Sequence, residues 1–111
     1  MGILEFEIMN AIWAIFEEDE DKNLSIGDVV DFLESHGISR AYTTIKTVMD
    51  RLVTKGVLAR FKSGKKFFYV TTISRFEAAK QAVEETSQQF FNGNHIDMIR
   101  FIEQNCEITC V

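Results

Sequence analysis

Apolar residues recur at helical spacing near the start of the chain, in the segment LEFEIMNAIWAIF (residues 4–16). Positions three and four apart are neighbours on a helix surface, so the segment predicts a first helix with one buried face. The residues on this face are Phe6, Met9, Ile12, Trp13 and Phe16. The acidic run EEDEDKN that follows breaks the pattern and is typical of a solvated loop.

Two more helices are predicted before residue 56. The second begins at Ser25, where Asp28 three residues later gives a capping-box pattern, and it ends near Gly37. The third covers residues 42–55 and is amphipathic. Its predicted buried face carries Ile45, Val48, Met49 and Leu52. Its opposite stripe carries Thr43, Thr47, Asp50 and Thr54.

A β-hairpin is predicted next. VLARF and FFYVT have the character of short strands, and KSGKK between them contains the turn residue Gly64. Three lysines cluster at this end of the hairpin, namely Lys62, Lys65 and Lys66. The hairpin is therefore predicted to have a basic tip.

The last third of the chain predicts two helices with more apolar surface than they can bury alone. SRFEAAKQAVEETSQQFF (74–91) has a seam near period 3.5, and HIDMIRFIEQN (95–105) is apolar on more than one side. Such helices must be covered, and a two-fold homodimer would cover them. The candidate dimerisation residues are Phe76, Val83, Phe90, Phe91, Ile96, Met98, Ile99, Phe101 and Ile102.

Charge is distributed unevenly along a chain whose net charge is −5. Residues 40–66 hold eight basic residues and one acid, a net charge of +7, whereas the remainder has a net charge of −12. A local positive segment on an acidic body indicates a polyanion-binding surface, because the local field steers association. An ordinary solvated helix and hairpin would also account for it.

The order of elements predicts a mainly α fold with a small β-hairpin wing, a winged helix-turn-helix followed by helices. We predict a DNA-binding domain over residues 1–73 and a helical dimerisation region over residues 74–111. The third helix would enter the major groove of double-stranded DNA, where small hydroxyl side chains meet phosphates and base edges. Exposed threonines are common on helices, however, and winged helices also serve as protein-interaction modules.

The run AYTTIKTVMDRLVTKGVLAR, followed by GKKFFYVT, resembles the penicillinase repressor family of bacterial transcription regulators. This family includes regulators of β-lactamase and methicillin-resistance genes and copper-responsive repressors. LEFEIMNAIW and LSIGDVVDFL resemble its first two helices, and FFNG with the apolar helix after it resembles the start of its dimerisation region. The resemblance covers about residues 3–105.

The resemblance implies a dimeric winged-helix repressor that binds dyad operators. It places the recognition helix at residues 42–55 and the wing at Lys62 to Lys66. Together with the charge pattern it gives the candidate DNA-binding residues Arg40, Ala41, Tyr42, Thr43, Thr44, Lys46, Thr47, Arg51, Lys62, Lys65 and Lys66. Two of these have a structural alternative. Tyr42, at the edge of the apolar face, could simply pack, and Arg51 could be tethered to Asp50 or to an acid elsewhere.

Two features set this chain apart within the resemblance. The family's release by cleavage of an Asn-Phe bond would fall at Arg100-Phe101 here, where the Asn is absent. Cys106 and Cys110 are spaced i, i+4, and thiolates at that spacing suit Cu(I) or Zn(II). The denser Cys-x-Cys pairs of copper-responsive relatives are lacking, so we favour inert thiols over a metal- or thiol-responsive repressor.

Several classes are excluded on pattern. The sequence has no Gly-rich phosphate loop, nucleophile elbow or paired-carboxylate pattern, which indicates a non-enzyme without a cofactor. No apolar run reaches the roughly 18 residues of a membrane span, and no basic-then-apolar leader opens the chain. We therefore expect a cytoplasmic protein.

Overall fold

The computed structural model describes residues 1–108. The order of its elements is α1 (Ile3–Glu18), α2 (Ile26–Ser35), α3 (Tyr42–Thr54), β1 (Leu58–Ser63), β2 (Lys66–Thr71), α4 (Arg75–Phe91) and α5 (His95–Asn105). The predicted fold class is confirmed: the chain is mainly helical with a two-stranded antiparallel hairpin as its wing. The chain divides into two compact units between Arg75 and Phe76, two residues beyond the boundary that we predicted.

The core of the first unit lies between its three helices and the hairpin. The predicted inner face of α3 is buried, with Ile45, Val48, Met49 and Leu52 at most 5% exposed. Each apolar side chain buried in this way contributes about 1.5–3 kcal/mol. Because this face anchors α3 to α1 and α2, the opposite face is held toward solvent.

The first helix is buried over a wider arc than the predicted face. Glu5, Ile8, Ala11 and Ile15 are buried in addition to the predicted residues near the middle of α1. Phe16 is only partly buried, and Phe6 is 43% exposed, so the prediction that Phe6 is buried is wrong. It lies at the edge of the buried arc, in the first turn of the helix.

Caps and turns fix the ends of the elements that carry the basic segment. Ser25 and Asp28 form the predicted capping box, in which each side chain accepts the other's backbone N–H, at 3.2 and 2.9 Å. After α3, Gly56 adopts a φ of 81°, and its N–H bonds to the carbonyl of Val53. This positive φ, which suits glycine, turns the chain from α3 into β1.

The hairpin is longer than predicted, and only two residues separate its strands. Ser63 pairs with Lys66, and Gly64 at the turn has a φ of 65°. The lysines at 62 and 66 are therefore strand residues. Tyr69 in β2 also donates its backbone N–H to the carbonyl of Leu24, at 2.9 Å, which joins the wing to the segment before α2.

Candidate nucleic-acid interface

The outward face of α3 is made of polar residues that the buried face leaves in solvent. Tyr42, Thr43, Thr44, Lys46 and Thr47 are all exposed. Tyr42 is 53% exposed, so about half of its surface is open to solvent. The face therefore presents hydroxyl groups and one ammonium group from its first two turns.

The N-terminus of α3 has no side-chain cap. Its N-cap is Ala41, whose side chain makes no capping hydrogen bond. The first N–H groups of a helix have no partner within the helix, and they favour an anion. Arg40 lies directly before this end, exposed, with its Nη1 donating to the carbonyl of Ser39 at 2.9 Å.

Asp50 joins the outward side of α3 to the wing. Its carboxylate accepts hydrogen bonds from Lys46 Nζ at 2.8 Å, from Arg60 Nη1 at 3.4 Å and from the Tyr69 hydroxyl at 3.3 Å. The bond from Lys46 is the main cause that lowers the pKa of Asp50, against the opposing effect of burial. The same contact raises the pKa of Lys46, so both groups are charged at neutral pH.

A basic cleft lies between α3, the wing and the start of α2. Its volume is about 510 Å³, and it is bordered by four cations. These cations are Lys46, Arg60, Lys65 and Lys66. Phe67 also lines the cleft, with the Arg60 guanidinium carbon 4.6 Å and Lys62 Nζ 5.7 Å from its ring centre. The cleft thus offers several positive groups and one aromatic ring on a single concave surface.

Two of the basic residues on the third helix and its C-cap point toward α1. Lys55 Nζ donates to both carboxylate oxygens of Glu5, at 2.8 and 3.1 Å, and Arg51 Nη1 lies 3.8 Å from the same carboxylate. The bond from Lys55 lowers the pKa of Glu5 against the effect of burial. Arg51 is thus tethered to an acid, the structural alternative raised for it, although its side chain remains 54% exposed.

Three residues of this surface were not among the predicted DNA-binding residues, namely Arg60, Asp50 and Phe67. The sequence had placed Asp50 on the outward stripe of α3 and Arg60 in the basic segment, without assigning either a role. Arg60 and Lys62 alternate along β1, and Phe67 is paired with Lys62 across the hairpin. That alternation is a signal in the sequence, because residues two apart on a strand share a face. Helical periodicity gives the position of Asp50, but no local signal gives its contacts to Arg60 and Tyr69, since these depend on how the hairpin folds back.

The second unit has little interior of its own. Ser87 is the one buried side chain between residues 76 and 108. Most of the predicted dimerisation residues are exposed, with Phe76 and Phe90 each at 76%. Phe91 and Met98 are only partly exposed, and the rings of Phe91 and Phe101 lie 5.5 Å apart.

The metal-binding alternative rests on the end of the chain. Cys106 is exposed and carries a free thiol, whereas Cys110 lies outside the described residues. Within residues 1–108, no three His, Cys, Asp or Glu side chains are grouped as metal ligands. In that same part of the chain, no helix is long and apolar enough to cross a membrane.

Comparison with known proteins decides the family. The sequence model of the family described as penicillinase repressor matches residues 1–110. The chain belongs to the penicillinase repressor family. The resemblance noted in the sequence is thereby confirmed, and the family is a regulatory, non-enzymatic one.

A curated relative adds little about function. The chain is 31% identical over 80 residues to a protein of Latilactobacillus sakei described as an uncharacterized 16.5 kDa protein in the ptsI 3′ region. The match covers 72% of this chain and 50% of that protein. The chain therefore spans about half the length of this relative.

Proposed function

We propose that the protein is a sequence-specific DNA-binding repressor that binds a dyad operator as a homodimer. The proposal rests on the position of two elements, α3 and the wing, at the same cleft. The outward side of α3 and the cations of the wing border one cleft, within a segment of net charge +7. A repressor of this family has a direct use for such a surface.

Lysine and arginine would supply most of the affinity by contacting phosphates. Each contact releases counterions, so binding should weaken as salt rises. The small side chains at the start of α3 would supply specificity, because the major groove is about 12 Å wide and admits a helix with short outward residues. Arg40, Lys46 and the wing lysines Lys62, Lys65 and Lys66 are assigned to phosphate contacts.

The homodimer is supported by the uncovered apolar side chains of the second unit. Isolated helices with large exposed aromatic groups are unfavourable in water. A second copy would bury these groups and would also present two copies of α3. Two-fold symmetry then matches a dyad operator whose half-sites lie about one helical turn apart.

The test is selection from a pool of random duplex DNA by the purified protein at two salt concentrations, followed by sequencing. We expect enrichment of an inverted repeat and retention that falls steeply with salt. Lys65→Ala should weaken retention, whereas Lys80→Ala, an exposed lysine of α4 outside the basic segment, should not. Absence of enrichment at low salt would contradict the proposal.

A protein-interaction module is the second candidate, and the outer face of the wing favours it. Phe61 and Val70 are 40% and 38% exposed there, and the ring of Phe61 lies 5.8 Å from that of Phe68. In that case Phe61→Ser would abolish partner binding. The same variant should leave DNA retention unchanged if the repressor proposal is correct.

A further inference from the structure

The outward face of α3, which is proposed to contact DNA, contains one acid. Asp50 is the only acidic residue between positions 40 and 66, and it lies toward the solvent side of α3. A carboxylate facing a DNA backbone is repelled by it, so its presence in a segment that otherwise carries eight basic residues requires an explanation.

Three elements converge on this carboxylate. Lys46 comes from α3, Arg60 from β1 and Tyr69 from β2, with the distances of 2.8, 3.4 and 3.3 Å given above. Arg60 and Tyr69 are cross-strand partners in the hairpin. Asp50 therefore ties both strands of the wing to the recognition helix through a single side chain.

The two cations remain available to a ligand. The side chains of Lys46 and Arg60 are 51% and 40% exposed, whereas that of Asp50 is 34% exposed. Each cation thus has one side on the carboxylate and another side in solvent. Long side chains held in place lose less conformational entropy when they bind than free ones do.

The same contact removes charge. Lys46, Arg60 and Asp50 together carry a net charge of +1, where the two cations alone would carry +2. A phosphate that arrives in an arbitrary position must compete with the carboxylate for both cations. A phosphate that contacts the solvent-facing N–H groups of Lys46 and Arg60, as Asp50 holds them, competes less with the carboxylate.

We propose that Asp50 is a positioning residue for DNA specificity, which fixes Lys46 and Arg60 and withholds part of their charge from non-specific DNA. This inference rests on the proposed DNA-binding function. It predicts that removing the negative charge strengthens binding to any duplex and lowers the preference for the operator. A carboxylate that only repels DNA would, when neutralised, change the affinity for both duplexes equally, and a purely structural tether would change stability while the ratio between the two affinities stayed the same.

The test compares Asp50→Asn with wild type on two duplexes of equal length, the selected operator and a scrambled sequence, between 50 and 200 mM salt. The control is Asp31→Asn, which removes the same charge from an exposed position of α2. One added phosphate contact steepens the salt slope by about 0.9, so the affinity ratio across this range grows about three- to four-fold.

We expect this growth for Asp50→Asn on the scrambled duplex, with a smaller change on the operator and hence a lower specificity ratio. Asp31→Asn should match wild type on both. An unchanged slope, or an equal change on both duplexes, would overturn the inference. Wild-type protein that retains no duplex would instead contradict the proposed function, and the inference would fall with it.

Two further variants separate the effect of the Asp50 charge from the effect of its hydrogen bonds. Neither depends on whether Asp50→Asn folds. Tyr69→Phe removes one hydrogen bond from Asp50 and no charge, so its salt slope should equal that of wild type. Asp50→Glu keeps the charge but lengthens the arm, so it should weaken operator binding and leave the scrambled duplex unaffected. A slope change in Tyr69→Phe, or wild-type operator binding by Asp50→Glu, would also overturn the inference.

Discussion

Truncation of Phe90 tests whether the second unit is completed by another copy of the chain. Phe90 is 76% exposed on α4 and lines an apolar cavity of about 450 Å³ with Phe91, Phe101 and Ile102. Full burial of a Phe side chain contributes about 1.5–3 kcal/mol, so covering the exposed three-quarters contributes roughly 1–2 kcal/mol per copy.

A two-fold dimer contains two such side chains. Phe90→Ala should therefore weaken dimerisation by roughly 2–4 kcal/mol, a rise in Kd of about 30- to 700-fold. Sedimentation velocity over a range of protein concentrations measures this Kd directly. Circular dichroism would verify that the variant keeps its helices.

The matched control is Phe6→Ala, which removes an aromatic ring that is 43% exposed on α1 in the first unit. We expect its dimerisation Kd to equal that of wild type. The reasoning is refuted if both variants shift the Kd equally, or if the wild-type protein sediments as a monomer at every concentration.

Three other changes test separate parts of the account. Lys46→Ala should lower DNA affinity and flatten the salt slope by about one, since one phosphate contact is lost; titrations at several salt concentrations would show it, and an unchanged slope would argue against that contact. Glu5→Gln should lower the free energy of unfolding by about 1 kcal/mol at neutral pH, because charge-assisted bonds to half-exposed cations are lost. The pKa of Glu5 is lowered, so this stability is present at pH values above the ordinary carboxyl pKa of 4.5 and is lost as pH falls below it. The free energies of unfolding of the two proteins, measured in urea, should therefore differ at pH 7 and converge at pH 3. An equal difference at both pH values would contradict this. Replacement of both Cys106 and Cys110 by Ser should leave DNA binding unaltered with and without Zn(II) or Cu(I), as measured by electrophoretic mobility shift. A metal response of the wild-type protein that disappears in the double variant would reverse the preference for inert thiols.

The helices were predictable because their signals are local. Apolar spacing placed α3 within one residue of its observed bounds, and the Ser25–Asp28 pattern placed the start of α2. The wing was predicted too short, because lysines near the turn resemble loop residues. Alternation along β1 continues through Lys62, so the ladder persists to Ser63.

Contacts between segments that are distant in the sequence could not be predicted from local sequence patterns. Glu5 is buried on α1 because Lys55, fifty residues later, reaches its carboxylate. An isolated glutamate in an amphipathic helix is ordinarily expected on the solvent side. The position of Asp50 could be predicted from helical periodicity, but its bonds to Arg60 and Tyr69 required the fold of the hairpin.

Hydroxyl-radical footprinting of the selected operator tests the central claim most directly, since it reports both the contact surface and the symmetry. The account predicts two protected regions related by a dyad, with centres about 10 base pairs apart. A single protected region, or a duplex left uniformly cleaved at saturating protein, would contradict a homodimeric repressor that reads DNA with α3 and the wing.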